Sequence, residues 1–151
     1  MTHLNHSVES PYSPKQLYML VDDVQSYPQF VPWCHRIQVL WQQGNQRIVN
    51  MAIKKGPVCR SFATKNRCFP YERIELSLEE GPFRNLDGCW RFTPVSGGQG
   101  CITTLDMDFS FSNPLVEKAF GPVFSQVLTA MSEAFNNRAH ELYGNLRNAQ
   151  G

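Results

Sequence analysis

The chain has 151 residues, enough for one domain that buries roughly 68–70% of its unfolded surface without help from disulfides or metal. Hydrophobic residues at 42% and charged residues at 18% suit a soluble protein, and aromatics at 12% suit a close-packed core or the wall of an apolar pocket. A net charge of +1 argues against a strongly basic nucleic-acid binder and leaves DNA out of the expected partners.

Leu4 to Glu9 reads as a short strand. Ser13-Pro14 then opens a helix, with Ser13 as N-cap and Pro14 at the first helical position, where its missing N–H costs nothing. Leu17, Leu20, Val21 and Val24 follow at helical spacing. Prolines in Tyr27-Pro28-Gln29-Phe30-Val31-Pro32-Trp33 forbid a long helix, so this apolar connection is expected to be a short helical turn and loop.

The middle of the chain reads as a meander of strands. Ile37, Val39 and Trp41 alternate up to a turn at Gly44-Asn45, and Arg47 to Lys55 runs to Gly56-Pro57. Val58 to Phe69 ends at Pro70-Tyr71, and Arg73 to Glu79 carries Ile74, Leu76 and Leu78 on one face. Gly81-Pro82-Phe83 is read as a loop. Asn85 to Val95 sets Leu86, Gly88, Trp90 and Phe92 together, before a turn at Ser96 to Gly100. Next, Leu105, Met107, Phe109 and Phe111 face one way, with Thr104, Asp106, Asp108 and Ser110 opposite, the pattern of a half-buried antiparallel strand.

Asn113-Pro114 repeats the cap-plus-proline helix start, and Gly144 is a plausible stop. Val116, Phe120, Val123, Val127, Met131, Ala134, Arg138 and Leu142 share a stripe, flanked by Phe124, Leu128 and Phe135. Gly121-Pro122 is expected to kink this helix or open it locally. Residues 1–144 are read as one domain and 145–151 as a loose tail. The expected fold is α+β: about seven antiparallel strands curved around a long C-terminal helix, with two short helices after the first strand. One helix only ~10–12 Å wide inside such a sheet leaves space, and that space is the expected pocket.

Cys34, Cys59, Cys68, Cys89 and Cys101 are odd in number and lack a C-x-x-C pair, so they read as small apolar residues in a reducing compartment, with no zinc site. Met1 to Val8 is too short and polar for a signal peptide, and no apolar run approaches the ~20 residues of a membrane span. A cytoplasmic protein is expected, with peripheral contact at the inner membrane left open. From Val24 to Tyr71 there is no Asp or Glu, while the stretch carries Arg36, Arg47, Lys54, Lys55, Arg60, Lys65 and Arg67. On neighbouring strands these form either a positive surface able to meet phosphate or an ordinary solvated face. Asp106 and Asp108 point outward, away from the burial a catalytic acid needs. Adjacent Cys34 and His35 face opposite ways on a strand. His3, His6 and His140 show no ligand spacing with carboxylates, and no P-loop, nucleophile elbow or metal cluster appears, so an enzyme is not expected.

The run from Val24 to Cys34 carries a family resemblance. So do Gly81-Pro82-Phe83, Leu86 to Pro94, Phe109-Ser110-Phe111, Ala119 to Phe124 and Ala134 to Ala139. In this order they resemble the coenzyme-Q-binding and RatA branch of the START-like helix-grip superfamily, also described as SRPBCC or polyketide cyclase/dehydrase proteins, over about Ser7 to Tyr143. The resemblance implies the same fold and a tunnel holding an isoprenoid quinone such as ubiquinone, or a similar lipid. The protein would then be a carrier or chaperone supporting respiratory electron transport, with the lipid as ligand and no other cofactor. The alternative it implies is a toxin that binds the large ribosomal subunit and blocks subunit association. A cyclase or hydrolase using the cavity ranks last, because the inward positions are nearly all apolar.

On the ligand reading, Phe30, Val31, Pro32 and Trp33 form a stiffened lip that meets lipid or membrane, with core packing as the alternative. Phe83, Trp90, Phe92, Phe109, Phe111, Phe120, Phe124 and Val127 border the cavity, and Gly121-Pro122 lets the helix shift. On the docking reading, Lys54, Lys55, Arg60, Lys65 and Arg67 hold lipid phosphate or ribosomal RNA.

Overall fold

Elements follow the expected order in the computed structural model, which describes residues 1–95, 97 and 99–150; side chains beyond Gly144 lie outside the described set. Strand β1 (Thr2–Ser10) leads into α1 (Pro14–Asp22), a 3₁₀ turn (Val24–Ser26) and the four-residue α2 (Tyr27–Phe30). Then come β2 (Cys34–Gln43), β3 (Gln46–Lys55), β4 (Val58–Phe69), β5 (Arg73–Glu80), β6 (Phe83–Val95), β7 (Gly100–Phe111) and α3 (Pro114–Gln150). Of the turn expected at Ser96 to Gly100, Ser96 and Gly98 lie outside the described residues.

Both helix starts obey their sequence signals. Ser13 Oγ accepts from the Gln16 N–H at 3.2 Å, and Gln16 Oε1 accepts from the Ser13 N–H at 2.9 Å, a reciprocal capping box. Asn113 Oδ1 accepts from the Val116 N–H at 2.9 Å. Helix α3 is unbroken across Gly121-Pro122 and does not stop at Gly144, because it runs on to Gln150. The expected tail therefore begins as helical backbone, and Gly151 lies outside the described residues.

All seven strands form one antiparallel sheet in the order β1-β7-β6-β5-β4-β3-β2. The first strand joins the last rather than its neighbour in sequence, so α1, the 3₁₀ turn and α2 carry the chain from one edge of the sheet to the other. Register shifts at Cys34/Arg36, Val39/Trp41, Ala63/Thr64 and Phe83/Asn85 bend the strands. The shift after Val39 corrects the expected alternation. Val39 pairs with the inward Val49, but Trp41 pairs with Ile48, so the extra residue Leu40 turns the indole to the outer face.

Helix α3 lies on the concave side. Phe124, Val127, Phe135 and Ala139 are wholly buried, with Phe120 and Leu128 beside them. The buried line is thus rotated from the expected stripe: Phe124 and Phe135 sit at its centre and Leu142 is exposed. Phe83 is the first residue of β6 rather than part of a loop, because its ring joins Phe62, Phe111 and Phe124 at centroid distances of 5.6, 5.2 and 4.9 Å.

Gly88 makes room for this concavity. A Cβ there would lie 2.2 Å from Met107 Sδ and 2.5 Å from the Asp106 carbonyl oxygen, so backbone must move. Gly88→Ala should therefore destabilise the protein by roughly 1–3 kcal/mol. An unchanged urea midpoint would show that the strands there are free to part.

Candidate functional site

Between the sheet and α3 lies a cavity walled by all three layers of the fold: Val21 of α1, Met51 and Ile53 of β3, Leu105 of β7, and Val127 and Met131 of α3 are among its lining residues. The gap between its walls, part of it open to solvent, totals about 680 Å³. The centre of a water-sized sphere fits in only about 60 Å³ of that gap. One water needs roughly 10–15 Å³ on this measure, so the void holds on the order of four waters. The roomy tunnel expected from a single helix inside a sheet is instead a void with far too little volume for a prenyl tail, because rings fill one end of it.

The sequence-chosen lining divides accordingly. Trp90, Phe124 and Val127 border the cavity. Phe83, Phe109, Phe111 and Phe120 instead pack around Phe124 and close that end, Phe109 and Phe111 edge to face and Phe83 and Phe120 tilted, with Phe109 to Phe124 at 5.0 Å and Phe120 to Phe124 at 5.5 Å. Phe92 is buried against Tyr18 of α1 at 5.5 Å. The lip is mostly core as well. Val31 is buried, half-buried Phe30 packs on Tyr27 and Phe135 under the Arg138 guanidinium, and half-buried Pro32 follows. Only Trp33 is presented. It takes a left-handed φ of 63°, and Lys55 Nζ sits 4.6 Å from its ring centre.

The cavity also has a polar corner. Arg47, counted among surface cations from composition, lies 92% buried on the inward face of β3, directly opposite Asn66 of β4. Its Nη2 stands 3.1 Å from Asp22 Oδ1, yet Nε and Nη2 have no aligned hydrogen-bond acceptor among the described residues. A buried donor left in that state costs roughly 1–3 kcal/mol. Nearby, Thr64 Oγ1 donates to Asn66 Oδ1 at 2.7 Å. Thr64 and Asn66 line the same cavity. The alternation Arg47, Val49, Met51, Ile53 is the signal that could have placed Arg47 inside.

The basic residues do not make one surface. Lys54, Lys55 and Arg60 gather at the β3–β4 hairpin, since Lys54 opposes Cys59 and Ile53 opposes Arg60. Lys65 and Arg67 sit opposite Ile48 and Gln46, about 20 Å away along the strand. Lys65 Nζ is 5.7 Å from the Trp41 ring centre, and Arg67 Nη1 is 3.7 Å from Glu75 Oε1.

Asp106 and Asp108 do face outward. Pairing of β1 with β7 sets His3 over both, with His3 Nδ1 2.6 Å from Asp108 Oδ1 and Nε2 3.3 Å from Asp106 Oδ1. That hydrogen bond to Asp108 raises the His3 pKa above its usual value. Sequence distance had hidden this contact, because its partners come from the first strand and the last. His6 likewise reaches Glu133 at 3.4 Å, and Tyr12 Oη meets His140 Nδ1 at 2.8 Å. No cluster of three metal-ligating side chains occurs among the described residues.

The model of the family described as polyketide cyclase / dehydrase and lipid transport matches residues 10–136. The chain belongs to this family. Within it, the Pseudomonas aeruginosa "Ribosome association toxin RatA" is 40% identical over 143 residues, covering 95% of this chain and 99% of that protein. The Xenopus laevis "Coenzyme Q-binding protein COQ10 homolog B, mitochondrial" is 30% identical over 136 residues, covering 88% of this chain and 56% of that one. A START superfamily protein from Mycobacterium smegmatis superimposes with a TM-score of 0.76 at 19% identity, covering 93% and 98% of the two chains, a likeness of fold. The START-like resemblance and the fold class expected from sequence are both supported. Both sequence relatives are named for association or binding rather than for a reaction. No helix among the described residues is long and apolar enough to cross a membrane.

An apolar interior disfavours the charged thiolate, so buried thiols stay neutral. Burial pushes the Cys34 thiol up to about 11 and raises Cys68, Cys89 and Cys101 as well. The folded state then holds protons that the unfolded chain releases above the ordinary thiol value of 9.0. Stability from these groups is complete below pH 9 and is lost as pH climbs towards 11. Urea midpoints should fall across that window, and a flat profile would contradict the burial. At pH 8 a maleimide should modify exposed Cys59 within minutes and buried Cys34 and Cys101 only on unfolding.

Proposed function

We infer that this protein is a ribosome-associating binding protein of the RatA kind, which docks on the large subunit and blocks subunit association rather than catalysing a reaction. The observation that carries the reading is the 40% identity to a ribosome association toxin across almost the full length of both chains. The surface geometry agrees with it. Trp33 immediately precedes edge strand β2 and Trp41 lies near the far end of that strand, about 26 Å further along the extended chain, each with a lysine over its ring. Trp33 is 37% exposed and Trp41 40% exposed, beside Leu40 at 57%. Aromatic faces stack on unpaired bases, and lysines neutralise neighbouring phosphates, so this edge suits structured RNA. Lys54, Arg60 and Arg67 extend the two basic ends. Salt-dependent co-sedimentation with purified large subunits tests the proposal. Combined Lys54→Glu, Lys55→Glu and Lys65→Glu changes should cut pelleting at least tenfold, and Trp41→Ala should weaken it further. Unaltered pelleting by both variants would move the contact elsewhere.

A second reading is favoured by the apolar cavity: the domain shelters a hydrophobic ligand, an isoprenoid quinone such as ubiquinone, as carrier or chaperone for respiratory electron transport. The family's lipid-transport description and the coenzyme-Q-binding relative support it. Because the void is far below the 300–1,000 Å³ of ordinary ligand pockets, loading requires the walls to part. Gly121-Pro122 lies just ahead of the lining residue Phe124 in α3, and Pro122 has no N–H to give the helix, so this is where α3 would yield. A Cβ on Gly121 would meet Phe111 Cε2 at 3.5 Å, Phe111 Cζ at 3.8 Å and Glu117 Cγ at 3.9 Å, all ordinary contacts, so alanine fits there. Gly121→Ala should stabilise the helix by up to ~1 kcal/mol and slow ligand exchange. Exchange at the native rate would remove the hinge, and protein purified from its host without extractable quinone would remove the carrier role.

A further inference from the structure

We propose that the cavity recognises one chemical class of guest: an uncharged apolar molecule with a carbonyl oxygen at one end, which accepts a hydrogen bond from Arg47. The proposal rests on the second reading above, that the interior binds a hydrophobic ligand, and adds to it what the ligand's polar end must be.

Three observations lead there. The cavity changes character along its strands: Arg47 and Asn66 face each other at one end, Val49 and Thr64 form the next pair, and Met51 opposite Phe62 lies beyond. A guest lying along β3 and β4 therefore has a polar end and an apolar end to match. Next, the polar end has donors without a full set of acceptors. Arg47 is 92% buried, its Nε has no partner among the described residues, and the amide oxygen of Asn66, the residue paired opposite it, already accepts from Thr64. An oxygen from the guest completes that donor.

Charge decides which oxygen. A guanidinium stays positive. Asp22 at 3.1 Å already balances it, so the corner is electrically neutral before any guest arrives. A carboxylate placed against Arg47 would set two negative charges around one positive in a largely buried site, at a desolvation cost that a neutral oxygen avoids. A ketone-type or quinone-type carbonyl accepts the same hydrogen bond and adds no charge. The void's small size also favours a slender guest, with wider ones entering only as the walls separate.

Three matched probes test this on the whole protein: 2-undecanone, n-undecane and undecanoate, titrated at low concentration and followed by calorimetry and by the Arg47 Nε–Hε resonance in ¹H–¹⁵N NMR. The ketone should bind roughly tenfold or more tighter than the alkane, the ordinary advantage of a hydrogen bond to a charged donor, and should move the Arg47 resonance. Undecanoate should bind no better than the alkane. Arg47→Met should bring ketone and alkane to equal affinity. Should that variant not fold, Asp22→Asn serves instead, because Asp22 is 40% exposed: it should raise undecanoate affinity by roughly tenfold. Equal binding of ketone and alkane to the native protein, with a still Arg47 resonance, overturns the proposal while leaving hydrophobic binding intact. Undecanoate as the tightest guest overturns the charge argument. Failure of all three probes to bind removes the hydrophobic-ligand reading itself, and the proposal with it.

Discussion

The whole architecture depends on α3 lying in the hollow of the sheet. A seven-stranded sheet with one greasy face has to cover it, and α3 is the element long enough to do so. Phe124 and Phe135 anchor the contact at opposite ends of the cavity. Around Phe124 the rings of Phe62, Phe109 and Phe111 meet edge on and Phe83 lies tilted, while Phe135 receives Tyr27, Phe30 and Trp90. Each such ring contributes roughly 1.5–3 kcal/mol by leaving water. Between the two clusters, aliphatic side chains do not fill the remaining width, and the small cavity is what is left.

Much of this was legible in the sequence because periodicity and caps speak locally. Ser13-Pro14, Asn113-Pro114 and the alternation of Leu105 through Phe111 each state their structure within a few residues, and the structure agrees. What failed depended on partners. Trp41 was aligned with Ile37 and Val39, yet Leu40 adds a step that no propensity announces. His3 meets Asp106 and Asp108 only because the first strand pairs with the last. Composition placed Arg47 with the surface cations, although the period-two pattern around it already pointed inward. The inward direction of the Phe83, Phe109, Phe111 and Phe120 rings could be inferred, but not whether they would wall a space or fill it. That distinction is set by rotamers on several elements at once.

The interior and the exterior of this molecule do different physical jobs. Inside, Arg47, the single charged side chain lining the cavity among the described residues, is counterbalanced by Asp22. Outside, cations near β2 to β4 sit beside exposed indoles and are answered by few acids, Glu75 being the carboxylate bridged to Arg67. Strand β3 serves both: its inward residues line the cavity while Lys54 and Lys55 reach the hairpin tip. A guest that parts α3 from the sheet would also pull on Gln126, which bonds Lys55. The two readings of the protein therefore share a mechanical link.

The displaced indole of Trp41 has a further implication for how this lineage tolerates changes in length. Facing along a strand is a matter of odd and even, and Leu40 is the residue that switches one to the other between Val39 and Trp41. Additions at the Gly44 hairpin merely lengthen a tip. Loss of a single residue at position 40 would swap inside for outside along the rest of β2, hiding the one surface indole that the strand displays. Among chains of this fold, the spacing between these two positions is thus a countable mark of whether the edge is built to touch something.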